Sequence, residues 1–435
     1  MTGRCQDSVL PPHSLGVAAF STIVEWYDFT LYLYFATVLA RVFYGGGSGS
    51  LLLTLGGFAI AYLMRPLGAV FFSHIGDKNG RRHMMLMSVA LMTAAMLATA
   101  LLPTRAIAGP AAGWMLLALR CIMGFSVGGE YTGVVAYLLE GAPVRRRGLI
   151  TSSASAASEV GGLFAVGVSA LTVSLMSPAD LDSWGWRIPF FVGAALAGSV
   201  WIARSTMHES PEFRRQQDAG TVPDVPLRHA IANHLPGIAR AFSISALGSI
   251  TFYVGITYVP AFLTSVGKLG ERESLWLSTI AAVAVIAITP LIGALSDRVG
   301  RKILLVILCL ASAALPITMF SLMASTARAE ALIGAVILAM LAGAVSAVGA
   351  VATAEQFPGE GRITGLALGA TMATAVFGGL TPYGAQWLVE RTGWATAPGM
   401  MIALVALCVA PVLLTMRETA PALTAAPDAA GIAVE

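Results

Sequence analysis

The chain has 435 residues, of which 57% are hydrophobic and only 11% are charged, whereas soluble domains carry about 25% charged residues. A soluble fold of this size has no interior large enough for so much apolar surface, and the small formal net charge of +3 gives no indication of nucleic-acid binding. The apolar residues fall in runs of about 20 residues, the length at which a helix crosses the roughly 30 Å hydrocarbon core of a bilayer. The composition therefore predicts an all-α integral membrane protein.

Twelve apolar runs, separated by short charged loops, predict twelve transmembrane helices. The first six are placed at 15–40, 51–72, 84–102, 112–139, 149–175 and 186–203. The second six are placed at 236–266, 274–295, 303–324, 331–354, 363–389 and 395–416. The sequence thus predicts two six-helix bundles, 1–203 and 236–417. A proline-containing cytoplasmic linker, 204–235, joins them, and a short cytoplasmic tail, 418–435, follows.

The distribution of basic residues predicts the orientation of the chain. Loops on the side of the N-terminus contain 17 of the 26 lysines and arginines, and loops on the opposite side contain 7. Loops with an excess of Lys and Arg remain in the cytoplasm. Both termini are therefore expected to be cytoplasmic, and the expected location is the plasma membrane, as a multi-pass protein of a bacterial inner membrane.

Several function classes require motifs that this sequence lacks. The cysteines, Cys5, Cys121, Cys309 and Cys408, have no Cys-x-x-Cys or zinc spacing, which argues against a disulfide framework or a metal site. The chain has no nucleotide-binding Gly-x-x-x-x-Gly-Lys-Ser/Thr loop and no Gly-x-Ser-x-Gly or His-Glu-x-x-His arrangement. An ATP-driven pump is therefore not supported and no cofactor is expected. A membrane enzyme and a channel are the alternatives from other classes.

One loop motif occurs twice, at the same place in each half. The loop after the second span reads SHIGDKNGRR at 73–82, and the loop after the eighth reads GALSDRVGRK at 293–302. Secondary transporters are often built from such duplications, with two bundles that rock about a site at the midplane of the membrane. The acid of the loop can face a helix N-terminus, and its arginines can reach acidic groups.

The duplicated loop resembles the signature of the major facilitator superfamily, complete in the second copy and with Ser73 in place of the first glycine in the first copy. The resemblance implies that these loops lock the two halves together on the cytoplasmic side. The implied gating residues are Asp77, Arg81, Arg82 and Glu140 in the first half and Asp297, Arg298 and Arg301 in the second. The alternative is that the charges serve only to orient the chain in the membrane.

Six further stretches resemble the metabolite:proton symporter family, whose members take up citrate and other carboxylates, shikimate, proline or betaine. They are EWYDF (25–29), RPLG (65–68), GFSVGGEY (124–131), WGWRIPF (184–190), ESPEF (209–213) and FGGLTP (377–382). The resemblance implies a proton-coupled symporter that imports a small organic acid or a related zwitterion by alternating access and acts as a monomer. A proton-antiport exporter of a drug or metabolite is the alternative within the same fold.

Ionisable side chains inside the spans are concentrated in the first half. Because such groups are costly in the membrane, each is a candidate functional group. They are Glu25, Asp28, Arg65, Arg120, Glu130 and Glu159, and the middles of the second-half spans contain none. Proton-coupled relatives commonly pair an acid of the first span with an arginine of the fourth, which implies that Asp28 is the proton site and Arg120 its partner. The alternative is a static ion pair that only fixes helix packing.

Other residues are candidates for proton coupling or substrate contact. Glu25, Glu130 and Glu159 are alternative proton carriers, and Arg65 is expected to snorkel to the cytoplasmic interface. Arg120, once released by protonation of Asp28, is expected to attract an anionic or zwitterionic substrate. The remaining candidate substrate contacts are polar or aromatic: Tyr32, Tyr131, Tyr253, Tyr258, Thr381 and Tyr383. Packing or interfacial anchoring is the alternative for the aromatic ones.

Overall fold

The computed structural model describes residues 12–46, 50–128, 130–206, 209–220, 226–259, 262–263, 266–269, 271–325, 327–357, 362–420 and 423. Almost all of these residues are helical. In lipid every backbone N–H and C=O group needs a partner within the protein, and a helix provides these partners within a single segment. A helical chain is therefore the form that this apolar composition favours.

The helices are numbered in chain order. The first ten are α1 (Pro12–Tyr34), α2 (Ala36–Tyr44), α3 (Ser50–Asn79), α4 (Arg81–Ala100), α5 (Arg105–Ala108), α6 (Ala111–Val127), α7 (Glu130–Gly141), α8 (Arg147–Leu175), α9 (Pro178–Asp180) and α10 (Arg187–Ser205). The others are α11 (Pro211–Ala219), α12 (Pro226–Phe252), α13 (Glu271–Val299), α14 (Arg301–Met323), α15 (Arg328–Ala354), α16 (Arg362–Leu366), α17 (Met372–Phe377), α18 (Thr381–Thr392) and α19 (Ala397–Thr415). Short 3₁₀ or π-helical turns occur at Val144–Arg146, Leu181–Gly185, Tyr253–Thr257 and Ala367–Thr371.

Nine helical stretches within the described ranges are long and apolar enough to cross a membrane. They correspond to nine of the twelve predicted spans. The other three predicted spans each contain more than one helix: the first contains α1 and α2, the fourth α6 and α7, and the eleventh α16, a π-helical turn, α17 and α18. The division of the fourth span falls at Gly128, and glycine is a poor helix former.

The first of two compact units consists of the described parts of Met1–Gly141, Ala157–Ile238 and Phe357–Leu380. Its main helix pairs are α3 with α6, α4 with α10, α4 with α6 and α1 with α10. Large aromatic side chains are fully buried in its core, among them Tyr27 and Trp186. The Tyr27 hydroxyl donates to the C=O of residue 189 at 2.9 Å, so the polar end of this buried ring is satisfied.

The second unit consists of the described parts of Ala142–Ala156, Ala239–Gln356 and Thr381–Glu435. Its main helix pairs are α13 with α15, α14 with α19 and α14 with α15. The buried core is mostly aliphatic. Helices α14 and α19 are in backbone contact, because a Cβ atom added at Gly399 would lie 2.6 Å from the carbonyl oxygen of Pro316. Small residues at such crossings allow membrane helices to pack closely.

Helices α3 and α6 cross with their backbones in contact. A Cβ atom added at Gly68 of α3 would lie 1.8 Å from the carbonyl oxygen of Phe125, and one at Gly124 of α6 would lie 2.1 Å from a carbonyl oxygen of α3. Glycine is thus required on both sides of the crossing. Arg65 is three residues before Gly68 and Arg120 is four residues before Gly124, so this contact also sets the separation of the two arginines.

Gly68→Ala is expected to destabilise the protein by about 3 kcal/mol, the upper part of the usual range for overpacking, because the clash is with backbone that cannot rotate away. Thermal unfolding of the purified protein in detergent measures the loss. Gly56→Ala is the matched control in the same helix, since no atom lies within 4 Å of its added Cβ. Equal thermal midpoints for the two variants would show that the crossing accommodates a methyl group.

Candidate functional site

Helix α1 carries three buried polar side chains on one face. Glu25, Asp28 and Tyr32 are three and four residues apart, which places them along one side of a helix, and each is 1% exposed. Asp28 is paired with Arg120 of α6. One guanidinium nitrogen of Arg120 donates to Asp28 Oδ2 at 2.9 Å, and another donates to Oδ1 at 3.4 Å. The structure thus brings together the two residues that were predicted to form the coupling pair.

The Arg120 side chain is enclosed by polar and aromatic groups. One nitrogen donates to the Thr99 hydroxyl at 3.4 Å, and the guanidinium carbon lies 5.3 Å from the ring centre of Tyr32 and 5.9 Å from that of Phe190. The Tyr32 hydroxyl donates to the C=O of Thr54 at 2.9 Å. Burying an ion costs several kcal/mol unless it is paired. Protonation of Asp28, or binding of another anion to Arg120, would therefore strongly change the electrostatic free energy of this site.

A second ion pair lies in the same region. Arg65 of α3 donates to Glu25 Oε1 at 2.9 Å and to the Tyr62 hydroxyl at 3.2 Å. Its guanidinium carbon lies 5.0 Å from the ring centres of both Phe29 and Tyr62. The expectation that Arg65 snorkels to the interface is therefore wrong. Glu25 provides a partner for its charge inside the protein, and two aromatic faces cover the guanidinium.

One cavity of the first unit contains both pairs. It is lined by Glu25, Asp28, Phe29 and Tyr32 of α1, by Phe58, Ala61, Tyr62 and Arg65 of α3, and by Arg120, Met123, Gly124 and Val127 of α6. The rings of Phe29, Phe58 and Tyr62 pack together, with centroid separations of 4.9 to 6.0 Å. Two acids, two arginines and an aromatic wall therefore share one space, and among the described side chains that line it the charges balance.

The other predicted site residues lie elsewhere. Glu159 of α8 is buried but is not among the residues that line this cavity. The side chains of Glu130, Tyr131 and Tyr383 lie outside the part of the chain that the structure describes. The remaining candidates, Tyr253, Tyr258 and Thr381, are buried in the second unit. The roles of these residues stay predictions.

The first copy of the loop motif belongs to a buried group of charges, the first cluster, which consists of Asp77, Arg81, Glu140, Glu209 and Arg362. Arg81 lies 3.2 Å from Asp77 and 3.4 Å from Glu140, and Arg362 donates to Glu140 at 2.9 Å. Asp77 Oδ2 accepts the N–H and the hydroxyl of Thr364, in the first turn of α16, at 2.9 and 2.7 Å. First-turn N–H groups have no partner within their own helix, so the motif acid satisfies one of them.

The second copy forms a matching group in the second unit, the second cluster, which consists of Asp297, Arg301, Glu355 and Glu418, with Arg147 close enough to act electrostatically on Glu355. Arg301 donates to Asp297 at 2.7 Å and to Glu355 at 3.4 Å. Asp297 accepts the N–H groups of residues 148 and 149, at the start of α8, at 2.8 and 3.0 Å. In both clusters the motif acid binds the start of a helix from the other half of the sequence.

Of the remaining predicted gating residues, Arg82 donates to the C=O of Ser205 and Arg298 is exposed.

Two glutamates to which sequence analysis gave no role cap the helices that follow the motif loops. Glu209 accepts the backbone N–H groups of Arg81 and Arg82 at the start of α4, at 2.9 and 3.2 Å. Glu418 accepts those of Arg301 and Lys302 at the start of α14, at 2.8 and 3.1 Å. A carboxylate at this position accepts hydrogen bonds from the free N–H groups and interacts favourably with the positive end of the helix dipole. The available signal was a Glu-Ser or Glu-Thr pair, at 209–210 and 418–419, after the last span of each half.

Glu418→Gln is expected to make the stability of the protein less sensitive to acid. Burial disfavours the charged form, but N–H donors from Ala420, Arg301 and Lys302 outweigh it and hold the pKa of Glu418 below its usual value. Because the pKa of Glu418 is lower in the folded state than in the unfolded state, its carboxylate stabilises the fold at pH values above the unfolded-state pKa. This stabilisation is lost as the pH falls through the folded-state pKa. Thermal midpoints from about pH 7 to pH 3 should fall more steeply for wild type than for the variant. Glu330→Gln, at an exposed glutamate of α15, is the control, and parallel curves for wild type and Glu418→Gln would contradict the cap.

Sequence comparison gives relatives along nearly the whole chain. Residues 15–221 match the family described as sugar (and other) transporter, and residues 268–432 match the major facilitator superfamily. The chain is 30% identical over 418 residues to the glycine betaine/proline/ectoine/pipecolic acid transporter OusA of Dickeya dadantii, covering 94% of this chain and 83% of that protein. It is 33% identical over 391 residues to the citrate-proton symporter of Salmonella typhi, covering 88% and 89%.

Structural comparison gives the same fold. The proton:xylose symporter XylE, bound to 6-bromo-6-deoxy-D-glucose, matches with a TM-score of 0.80 over 94% of this chain and 96% of XylE, at 19% identity. At that identity the match shows the fold alone, which is the twelve-helix fold of major facilitators. The chain therefore belongs to the major facilitator superfamily, in its metabolite:proton symporter family, and is a secondary transporter of the bacterial inner membrane.

Proposed function

We propose that this protein imports a small organic acid or a related zwitterion together with a proton, by alternating access. The observation that carries the proposal is the buried Asp28–Arg120 pair in the cavity of the first unit. The relatives named above include a transporter of betaine and proline and a symporter of citrate. These cargoes have a carboxylate in common, and a released arginine can bind a carboxylate through two parallel hydrogen bonds.

In the proposed mechanism Asp28 and the substrate compete for Arg120. A proton on Asp28 removes the negative charge that holds the guanidinium, and Arg120 then offers two parallel donors to a substrate carboxylate. By linkage, the bound substrate raises the affinity of Asp28 for its proton by the same factor. Tyr32, whose ring packs on the guanidinium, is the proposed aromatic contact. Tyr131, Tyr253, Tyr258, Thr381 and Tyr383 are further proposed contacts.

Asp28 is proposed as the main proton site over three other acids. Glu25 lines the same cavity but is paired with Arg65. Glu159 is buried away from the residues that line the cavity, and Glu130 is an alternative on the same span as Arg120. Among the acids whose side chains the structure describes, Asp28 alone combines a position in the cavity with a contact to the arginine of the fourth span.

We also propose that the two charge clusters lie on the cytoplasmic side, with both termini, as the excess of basic residues in those loops favours. In the first cluster Asp77–Thr364 and Glu140–Arg362 link the first half of the sequence to α16. These contacts would have to break when the site opens to the cytoplasm. The division into bundles 1–203 and 236–417 and function as a monomer belong to the same proposal.

Uptake into proteoliposomes tests the proposed function. The purified protein is reconstituted alone, the outside is made acidic, and uptake of labelled citrate or glycine betaine is measured together with the pH of the lumen. Symport gives saturable uptake that acidifies the lumen and reverses with the gradient. Substrate movement opposite to the proton flux would instead identify an antiport exporter, and ion conductance without saturation would identify a channel.

A further inference from the structure

We propose that the contact between the ring of Tyr62 and Gly379 is an inner latch, which holds one wall of the cavity closed and must release before the site opens to the cytoplasm. The inference rests on the proposed function, in which the contacts of α16 break on opening. It adds Tyr62 as a residue that positions the end of α17 during the transport cycle. Both residues of the latch belong to the first unit.

Helix α3 and the segment 362–380 are in contact at two distant points. Near the motif loop Asp77 accepts the N–H and the hydroxyl of Thr364. At the second point a Cβ atom added at Gly379 would lie 2.9 Å from Cδ1 of Tyr62. Tyr62 is 15 residues before Asp77, and Gly379 is 15 residues after Thr364, a distance of about 22 Å along a helix. The two segments are therefore antiparallel and in register from the motif loop to the cavity.

The ring of Tyr62 is held in place on the side of the cavity. Its centre lies 5.5 Å from that of the Phe29 ring and 6.0 Å from that of the Phe58 ring. The Tyr62 hydroxyl accepts from Arg65 at 3.2 Å, and the Arg65 guanidinium carbon lies 5.0 Å from the ring centre. Tyr62 is 2% exposed. The ring therefore cannot turn away from an obstacle at Gly379 without breaking these contacts.

Glycine at position 379 is what allows the segment to reach the ring. Carbon atoms pack at about 3.5–4.0 Å, and an added Cβ would lie 2.9 Å from the Tyr62 ring. It would also lie 3.0 Å from the carbonyl oxygen of Ala375, one turn earlier in the same segment. A side chain at position 379 therefore pushes the end of α17 away from α3, while the contact of Asp77 with α16 lies at the far end of the interface.

The latch and the site share a side chain, because Tyr62 also lines the cavity, next to Arg65 and Glu25. Breaking the Asp77–Thr364 contact alone leaves the segment held at the cavity. Opening therefore requires both points to release, and the inner one involves a ring that a bound substrate would touch.

The test measures opening as the rate at which N-ethylmaleimide labels Ser73→Cys in the purified protein. Ser73 is buried, and its spacing of 11 residues from Tyr62 and four from Asp77 places all three on one face of α3. Labelling is followed peptide by peptide by mass spectrometry. The native Cys309, which is 2% exposed in the second unit, reports unfolding of the whole protein.

Gly379→Ala should raise the labelling rate of Ser73→Cys by about tenfold, the shift that an overpacking clash of ordinary size produces, and leave that of Cys309 unchanged. Gly384→Ala is the matched control in the same predicted span. The nearest atom to its added Cβ is Cε of Met401, at an ordinary 3.6 Å. It should leave both labelling rates at the wild-type value.

A double-mutant cycle isolates the ring from other effects of the substitution. Tyr62→Ala should raise the labelling rate of Ser73→Cys by itself, and Gly379→Ala should then add little, because its clash with the ring is gone. The clash with the carbonyl oxygen of Ala375 is the same in both backgrounds.

Three results would overturn the latch: an unchanged rate at Ser73→Cys in Gly379→Ala, an equal rise at Cys309, or full additivity of Gly379→Ala and Tyr62→Ala. Failure of the proposed function is recognised separately, because labelling requires no transport. That failure would show as pH-driven uptake that persists in Asp28→Asn.

Discussion

Asp28→Asn is expected to abolish uphill uptake while exchange of substrate across the membrane continues. Asparagine cannot take up a proton, and it leaves Arg120 without the anion that now lies 2.9 Å away. The substrate carboxylate then binds at any pH, so binding and exchange persist, but no proton moves with it. The variant equilibrates its substrate and does not concentrate it.

The size of the expected effect follows from the gradient. One pH unit corresponds to 1.36 kcal/mol, which is about tenfold in concentration. With a gradient of about two pH units and no membrane potential, one-proton symport of an uncharged or zwitterionic cargo gives an accumulation of about 100-fold in wild type and about 1-fold in the variant. In proteoliposomes, the accumulation ratio measures uphill uptake and the counterflow rate measures exchange.

The control for this experiment is Asp182→Asn, the same substitution at an acid that pairs with Arg41 on the surface. It should leave both accumulation and exchange unchanged. If Asp28→Asn still concentrated its cargo fully, Asp28 would not be the coupling acid, and Glu25, in the same cavity, would become the first candidate. Loss of exchange as well as accumulation would assign Asp28 to structural stability.

The pairing of Asp28 with Arg120 was predicted from the resemblance to proton-coupled transporters, and the high cost of an unpaired charge at membrane depth supports it. Asp28 and Arg120 are separated by 92 positions, yet each span offers few ionisable groups, so few pairings are possible. The same argument applied to Arg65 and Glu25 and would have found their contact. The prediction for Arg65 was wrong because it considered one helix alone, where snorkelling is the only way to satisfy the charge.

The capping glutamates show what a pattern within one span cannot reveal. Glu209 binds N–H groups 127 and 128 positions away, and Glu418 binds groups 116 and 117 positions away. Free N–H groups at a helix start are certain from the helix itself, but the residue that satisfies them depends on how distant segments pack. The twelve apolar runs were predictable because hydrophobicity is a property of each segment, whereas the breaks within three of them depend on local packing.

Glu140→Gln is expected to cost far more stability than Glu355→Gln, although the two glutamates hold equivalent positions in the two clusters. Burial opposes the charged form of Glu140, but Arg81 and Arg362 outweigh it and hold the pKa of Glu140 below its usual value. Burial raises the pKa of Glu355, and Arg301 opposes that rise only in part. Glu140 is therefore held in its charged form beside two arginines, whereas burial makes the charged form of Glu355 less favourable than that of an ordinary glutamate.

Removing one partner of a buried ion pair costs about 3–5 kcal/mol because the other charge is left unpaired. Glu140→Gln should lower the free energy of unfolding by that amount, and Glu355→Gln by less, because burial already opposes the charged form that the substitution removes. The two glutamates also differ in the direction in which their contributions to stability change with pH. The contribution of Glu140 is present above its unfolded-state pKa and is lost as the pH falls through the folded-state value, whereas that of Glu355 is present at low pH and is lost as the pH rises.

Thermal midpoints of wild type and both variants, measured across pH in detergent, test this difference. The wild-type and Glu140→Gln curves should converge toward acid, whereas the advantage of wild type over Glu355→Gln should shrink as the pH rises. Arg362→Gln adds a check, since its contact with Glu140 at 2.9 Å should make the effects of the two substitutions non-additive. Equal losses for Glu140→Gln and Glu355→Gln would mean that the clusters are energetically equivalent. A larger loss at Glu140 would show that its contacts with two arginines make the first cluster the more stable of the two.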